Sequence, residues 1–137
     1  MANDFNQQII DEFRANEGRV GGFFEGKPLV LLTTTGAKSG KQITTPVMWV
    51  ADGDRYVVIA SNGGADTNPA WYHNLRATPE ATAVVGTEEF GVKAVFAEGE
   101  ERDRLYAAMV AQAPQFAEYE AKTDRLIPVI ALERTAA

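Results

Sequence analysis

From residue 29 onward the apolar and polar positions run in short stretches that predict strands. Leu29–Thr35 contains only Leu, Val and Thr, residues that suit a pleated, half-buried surface. Residues 44–51 and 55–61 flank Asp52-Gly53, a strong two-residue hairpin signal. Strands at 81–87 and 90–98 follow, and in the second Phe90, Val92, Ala94 and Phe96 share one face. A last strand spans 127–133, where Pro128 limits pairing near the start. Elsewhere the period is helical. Phe5, Ile9 and Phe13 recur every four residues behind a cap at Asn3 or Asp4, and that helix fades near Asn16 before Gly18, Gly21 and Gly22. Phe23 and Phe24 are expected to fold back onto the core or to cover a pocket. Asn68 is expected to cap a short helix with Pro69 at its first position, and the helix stops before Pro79. Arg102, Leu105, Tyr106, Met109 and Val110 form an amphipathic stripe behind the acidic start Glu100-Glu101. Pro114 opens a further turn or two of helix carrying Phe116 and Tyr119. About six strands that do not alternate regularly with helices predict an α+β protein built on a small antiparallel barrel.

Length and charge narrow the functional classes. At 137 residues the chain reads as one domain, 1–137, large enough to bury a core without staples. It has no cysteine, which excludes disulfides and thiolate chemistry. A lone histidine, His73, cannot build a His-rich metal site and reads as structural or exposed, so no metal is expected. The N-terminus carries Asp4, Asp11, Glu12 and Glu17 without an apolar stretch. No signal peptide or transmembrane helix is expected, a cytoplasmic location is the default, and peripheral membrane contact stays open. A net charge of −6 argues against general nucleic-acid binding. It does not exclude a small anionic ligand, because exposed charges beyond about 8 Å are mostly screened at physiological salt. Lys27, Lys38 and Lys41 lie close together in sequence and act locally.

The chemistry concentrates in Thr33-Thr-Thr-Gly-Ala-Lys-Ser-Gly-Lys-Gln-Ile-Thr-Thr-Pro46. The loop inside it, Gly36 to Lys41, holds two Gly, two Lys and Ser39 between two strands. Glycine lets the backbone expose N–H groups, and ammonium groups beside such donors suit phosphate or carboxylate oxygens. The same composition also suits an ordinary solvated turn. No Ser-His-Asp arrangement appears, and the loop lacks Walker spacing. Trp71 is read as core or as a ligand neighbour, and Tyr106 as a packing residue.

Three segments in order and spacing carry a resemblance. Leu31-Leu-Thr-Thr-Thr-Gly-Ala-Lys-Ser-Gly-Lys41 with Thr44-Thr-Pro46, then Asp52-Gly-Asp-Arg-Tyr-Val-Val-Ile-Ala-Ser-Asn-Gly-Gly64, then Asn68-Pro-Ala-Trp-Tyr-His-Asn-Leu75, resemble the deazaflavin-dependent nitroreductase family. Tyr119, Lys122-Thr-Asp-Arg125 and Ile127-Pro128-Val129 match its usual ending, so the likeness runs from about Phe5 to the last strand. The resemblance implies a split antiparallel β-barrel of about six strands, with N-terminal, central and C-terminal short helices. It implies the deazaflavin coenzyme F420 (8-hydroxy-5-deazaflavin), which carries a ring, a ribityl chain, a phosphate and an oligoglutamate tail. The loop of Gly36, Lys38, Ser39, Gly40 and Lys41 would hold phosphate and tail. Pro46, Val47 and Met48, together with Ala60, Ser61 and Asn62, would run beside ring and chain, with Trp71 and Asn74 near them.

The implied reaction is hydride transfer from C5 of the reduced deazaflavin to a small-molecule acceptor: a quinone, a nitroaromatic, or a conjugated enone or lactone. Ser61 and Tyr119 match positions beside the acceptor and are the catalytic candidates. Met48, Phe116 and Tyr119 match its pocket. The chain departs from the family pattern at Ala37 and Ile43, where Arg is usual, and at Met48, where relatives often carry Tyr. The two Arg losses remove bidentate anion donors. Two other readings stand beside this one: a non-catalytic cofactor carrier, or an FMN-dependent oxidoreductase on the same barrel. The sequence leaves the oligomeric state open.

Overall fold

The computed structural model describes residues 4–18, 20, 21 and 28–135, the side chains of residues 4–6 and 63 excepted. The expectations for Asn3, Phe23, Phe24 and Lys27, and for the side chain of Phe5, lie outside this set. The elements are α1 (Asp4–Ala15), β1 (Leu29–Thr35), β2 (Gln42–Asp52), β3 (Arg55–Ile59), α2 (Ala70–Ala77), β4 (Glu80–Val85), β5 (Glu88–Phe96), α3 (Gly99–Gln112), α4 (Gln115–Ala121) and β6 (Val129–Arg134). A single 3₁₀ turn, Asn62–Gly64, joins the end of β3 to the approach to α2.

The six strands close into an antiparallel barrel in the order β1-β2-β3-β6-β5-β4, with β4 returning to β1. The expected α+β split barrel is what forms. Hairpins make three of the six pairings: β1 with β2, β2 with β3 across Asp52-Gly53, and β4 with β5. Gly53 has φ +61°, the left-handed geometry that a tight hairpin turn requires. The other three pairings join strands far apart in sequence.

Alternation along the strands divides the core in two. Val30, Leu32, Val58, Ala83, Val92, Ala94, Ile130 and Leu132 are buried together and fill the barrel. Trp71 and Leu75 of α2 join this cluster and plug one end. Near the far end Trp49 meets Tyr56 edge-on at 4.8 Å, Tyr56 meets Phe90 at 5.3 Å, and Arg134 stacks over Phe90 at 4.4 Å. The opposite faces of these strands supply Leu29, Leu31, Met48, Val50, Val57, Ile59, Val129 and Ala131 to an outer cluster. There Ile9, Ile10 and Phe13 of α1, and Leu105, Tyr106 and Met109 of α3, cover them.

Observed boundaries depart from the expected ones where loops take over. β2 begins at Gln42 instead of 44, since Thr35 pairs with Gln42 beyond the hydrophobic run. β3 ends at Ile59 instead of 61, because the Ala60 N–H turns to the Pro128 carbonyl. Pro128 itself lies just ahead of β6, where its missing N–H costs no ladder bond and its carbonyl accepts from the Ala60 N–H. The expected cap of α2 is corrected: Pro69 is the cap, the helix starts at Ala70, and no side chain caps it. Asn68 cannot serve, since its Oδ1 accepts a hydrogen bond from Arg125 at 2.6 Å.

Candidate functional site

A cavity of about 480 Å³ opens where the outer wall of β2 and the end of β3 meet the starts of α2 and α4. Of the residues named from sequence, Pro46, Val47, Met48, Ser61, Asn62, Trp71, Phe116 and Tyr119 line it. Thr45, Ile59, Asn68 and Gln115 line it too, and the sequence reading did not name these as site residues. Its floor is apolar, from Met48, Ile59 and Phe116, and its rim is polar.

Part of the polar rim is committed to the protein. Asn62 Nδ2 donates to the Thr67 carbonyl at 3.1 Å, and Asn68 Oδ1 is held by Arg125. Gln115 Nε2 reaches only the Met48 Sδ, at 3.9 Å. Among the described residues the hydroxyls of Thr45, Ser61 and Tyr119 make no protein hydrogen bond, and all three residues line the cavity. Each can donate one hydrogen bond while remaining neutral.

Arg125 shapes this rim. Its guanidinium donates to the carbonyls of Ser61 at 2.9 Å, Ala60 at 3.3 Å and Ala65 at 2.9 Å, as well as to Asn68. The segment before β6 thereby holds the whole stretch between β3 and α2. Arg125 belongs to the ending quoted above, yet three of its four acceptors are backbone carbonyls, which carry no sequence signature.

Packing sets the opposite wall. Tyr106 donates to the Phe116 carbonyl at 2.6 Å and so ties α4 to α3. Burial pushes the Tyr106 phenol up to about 12, with the Glu120 carboxylate adding to the shift. Phe116 and Tyr119 meet edge-on at 5.1 Å. Gly64, at φ +87°, lets the 3₁₀ turn approach α4: a Cβ there would lie 3.0 Å from Lys122 Cδ and 3.2 Å from Tyr119 Cα. Arg102, only 5% exposed, adds two bonds to the Ile127 carbonyl and pairs with Glu120.

The Gly36–Lys41 loop lies off the cavity, at the start of β2. Thr45 is the first cavity residue along that strand, about 13 Å from Lys41 at ~3.3 Å per residue. The loop closes on itself: Gly36 N–H bonds the Lys41 carbonyl at 2.7 Å, Gly40 N–H the Gly36 carbonyl at 2.9 Å, and Lys41 N–H the Ser39 Oγ at 3.1 Å. Ala37 N–H bonds the Asn74 side chain at 2.9 Å. The expectation of a loop rich in free donors is therefore narrowed to Lys38 N–H and Ser39 N–H, which have no protein acceptor among the described residues. The exposed side chains of Lys38, Ser39 and Lys41 stand beside them. Gly36 is buried and its role is steric, for a Cβ there would meet Ser39 Oγ at 2.5 Å.

Two further residues named from sequence lie away from the cavity. Ala60 is fully buried in the barrel cluster. Asn74 is 6% exposed, and its amide is spent on Ala37 and on Thr34 Oγ1, the latter at 3.1 Å. Trp71 combines both roles weighed from sequence, since it packs in the barrel cluster and lines the cavity.

Loop and cavity together suit an elongated ligand with an anionic end and a flat end. Among the described residues no cluster of His, Asp or Glu could hold a metal ion, and no helix is long and apolar enough to cross a membrane.

Comparison with known proteins gives a consistent result. The family model described as F420H(2)-dependent quinone reductase matches residues 6–134. An F420H(2)-dependent quinone reductase of Mycobacterium tuberculosis is 39% identical over 126 residues, covering 89% of this chain and 85% of that protein. A solved F420-H2 dependent reductase, FDR-A, superposes with a TM-score of 0.72 at 44% identity, covering 77% of this chain and 94% of the other. A domain-swapped dimer superposes with a TM-score of 0.74 at 37% identity, covering 95% and 98%.

Proposed function

The chain belongs to the F420H(2)-dependent quinone reductase family and is thus a reductase that uses coenzyme F420; from that premise we propose how its own residues do the work. The cavity takes the deazaflavin ring and the acceptor, and the Gly36–Lys41 loop takes the phosphate and the start of the tail. What supports this division is the separation of two chemistries along β2: an apolar-floored cavity at Pro46–Met48, and free N–H groups with two ammonium groups at the loop.

When bound and reduced, the coenzyme supplies a hydride to the acceptor. Met48, Phe116 and Trp71 bound the cavity and hold flat rings against one another, so that little orientational freedom remains to be lost on reaction. A quinone oxygen gains negative charge as it is reduced. Ser61 and Tyr119 donate hydrogen bonds to that oxygen, which strengthen as the charge grows and so favour the transition state over the ground state. A proton reaching the oxygen through either hydroxyl completes the reduction to hydroquinone. Gln115 and Thr45 are further donors on the same rim.

Quinones are the acceptor class of the family. The same donors suit nitroaromatics and conjugated enones or lactones, whose oxygens also become anionic on reduction, and the proposal extends to them. Met48 makes the floor apolar and gives it no hydroxyl, which favours acceptors with an unsubstituted apolar face.

The observation that carries the proposal is that the Ser61 and Tyr119 hydroxyls, neither bonded to the protein among the described residues, line one cavity from the 3₁₀ turn after β3 and from α4. The test is equilibrium titration with coenzyme F420, FMN and FAD, followed by steady-state turnover with menadione. Clear preference for F420 with turnover is expected. Equal or better FMN affinity would contradict the assignment.

A further inference from the structure

Asn74 does not face the cavity, yet it is the side chain that joins α2 to the anion loop. It is buried, and both ends of its amide are used: Nδ2 donates to Thr34 Oγ1 at 3.1 Å, and Oδ1 accepts from Ala37 N–H at 2.9 Å. Thr34 is itself 1% exposed, so the contact sits on a rigid strand end. Three residues back along the helix, Trp71 lines the cavity. One helix therefore touches the cavity through Trp71 and the loop through Asn74.

We propose that Asn74 is a positioning residue for coenzyme phosphate binding, acting through the Ala37 amide and not by touching the coenzyme. The inference rests on the assignment of the phosphate to the Gly36–Lys41 loop. Three loop amides are satisfied within the loop and cannot orient it relative to the barrel. Ala37 N–H is the loop amide held from another element among the described residues, and it immediately precedes the two free donors, Lys38 N–H and Ser39 N–H. Removing its acceptor frees the turn to rotate those donors away from a common point. The choice of Asn follows from its partners. It supplies one acceptor and one donor with no charge, whereas a carboxylate would place a negative charge beside an anion site. The Ala37 side chain takes no part, so the absence of Arg at that position leaves the tie intact.

The proposal separates two ligands. Coenzyme F420 carries the phosphate and tail, and its phosphate-free form carries only ring and ribityl chain. Two variants remove the same hydrogen bond from opposite sides: Asn74→Leu from the helix, and Ala37→Pro from the loop, where the exposed residue loses its N–H and has its φ fixed near about −65°. Dissociation constants of both ligands are measured by fluorescence titration for wild type and variants. Wild type should bind F420 more tightly than the phosphate-free form. Each variant should weaken F420 by about 10-fold, the size of one hydrogen bond, and leave the phosphate-free form within about twofold. Ala37→Pro keeps the test decisive should Asn74→Leu fail to fold. If the variants weaken both ligands equally, or neither, Asn74 is a packing or ring-contacting residue and the proposal is overturned while the loop assignment stands. If wild type does not discriminate between the two ligands, the loop assignment fails and the proposal fails with it.

Discussion

The Arg125 guanidinium donates to the Ser61 carbonyl at 2.9 Å, and through that bond the segment before the last strand orients a cavity residue 64 positions earlier in the chain. Lysine would keep the charge but not the fork that reaches four acceptors at once. Arg125→Lys should therefore lower kcat with menadione about 10- to 100-fold, the cost of displacing a donor by a fraction of an ångström to an ångström. Coenzyme affinity should change less than kcat. Steady-state kinetics alongside coenzyme titration checks this split.

Gly64 is the second positioning element. Its φ of +87° lies where an L residue is strained, and a Cβ would press on Tyr119 and Lys122. Gly64→Ala should destabilise the fold by about 1–3 kcal/mol and displace α4 from the cavity. Thermal unfolding reads the first effect, and the KM for menadione, expected to rise, reads the second.

The Gly36–Lys41 loop yields a salt-dependent prediction. Lys38→Ala and Lys41→Ala should each weaken F420 binding by about 1–3 kcal/mol if the ammonium makes a direct charge-assisted bond. The difference from wild type should shrink at high salt, since both lysines are exposed. Placing Arg at Ala37 or at Ile43, which is 43% exposed, should strengthen binding of long-tailed coenzyme. Titration at two ionic strengths decides the matter, and unchanged affinity in both lysine variants would move the phosphate elsewhere.

Tyr106 predicts an alkaline transition. Its phenol is pushed up to about 12, above the usual value of 10.0, so the folded state holds the proton more tightly than the unfolded chain. The resulting stability is complete below pH 10 and is lost as pH rises through about 12. Tyr106→Phe should lower stability at neutral pH through loss of the bond to Phe116, and should flatten that alkaline loss. Chemical denaturation across this range compares the two proteins.

Local chemistry was legible in the sequence, and long-range polar ties were not. Strand-forming composition, alternation and turn signals together located all six strands, and Asp52-Gly53 located its hairpin, because side-chain period and turn geometry depend on neighbouring residues. Closure of β4 onto β1 pairs Leu31 with Val84, and neither residue's type distinguishes that partner from another strand. Asn68 looked like a helix cap for the right local reason, but Arg125, 57 positions away, takes its side chain. The Gly36–Lys41 loop was identifiable by composition, yet which of its amides remain free depends on Asn74 and on the loop's own closure. Pro46, Ser61, Asn62 and Trp71 of the cavity lie in three motifs recognised together, and Tyr119 in the matching ending. Arg125, Tyr106 and Gly64 hold them in place through backbone carbonyls and close packing; Arg125 and Gly64 stand in the quoted motifs, but the motifs do not show these contacts.

The central claim is that Ser61 and Tyr119 stabilise charge developing on the acceptor. It is tested most directly by single-turnover oxidation of pre-bound reduced F420 with menadione, in wild type, Ser61→Ala and Tyr119→Phe. Single turnover isolates the chemical step from coenzyme exchange. The account predicts that each variant slows this step about 100-fold with coenzyme affinity nearly intact. Unchanged rates in both variants, or wild-type protein that oxidises the bound coenzyme no faster than free solution, would contradict it.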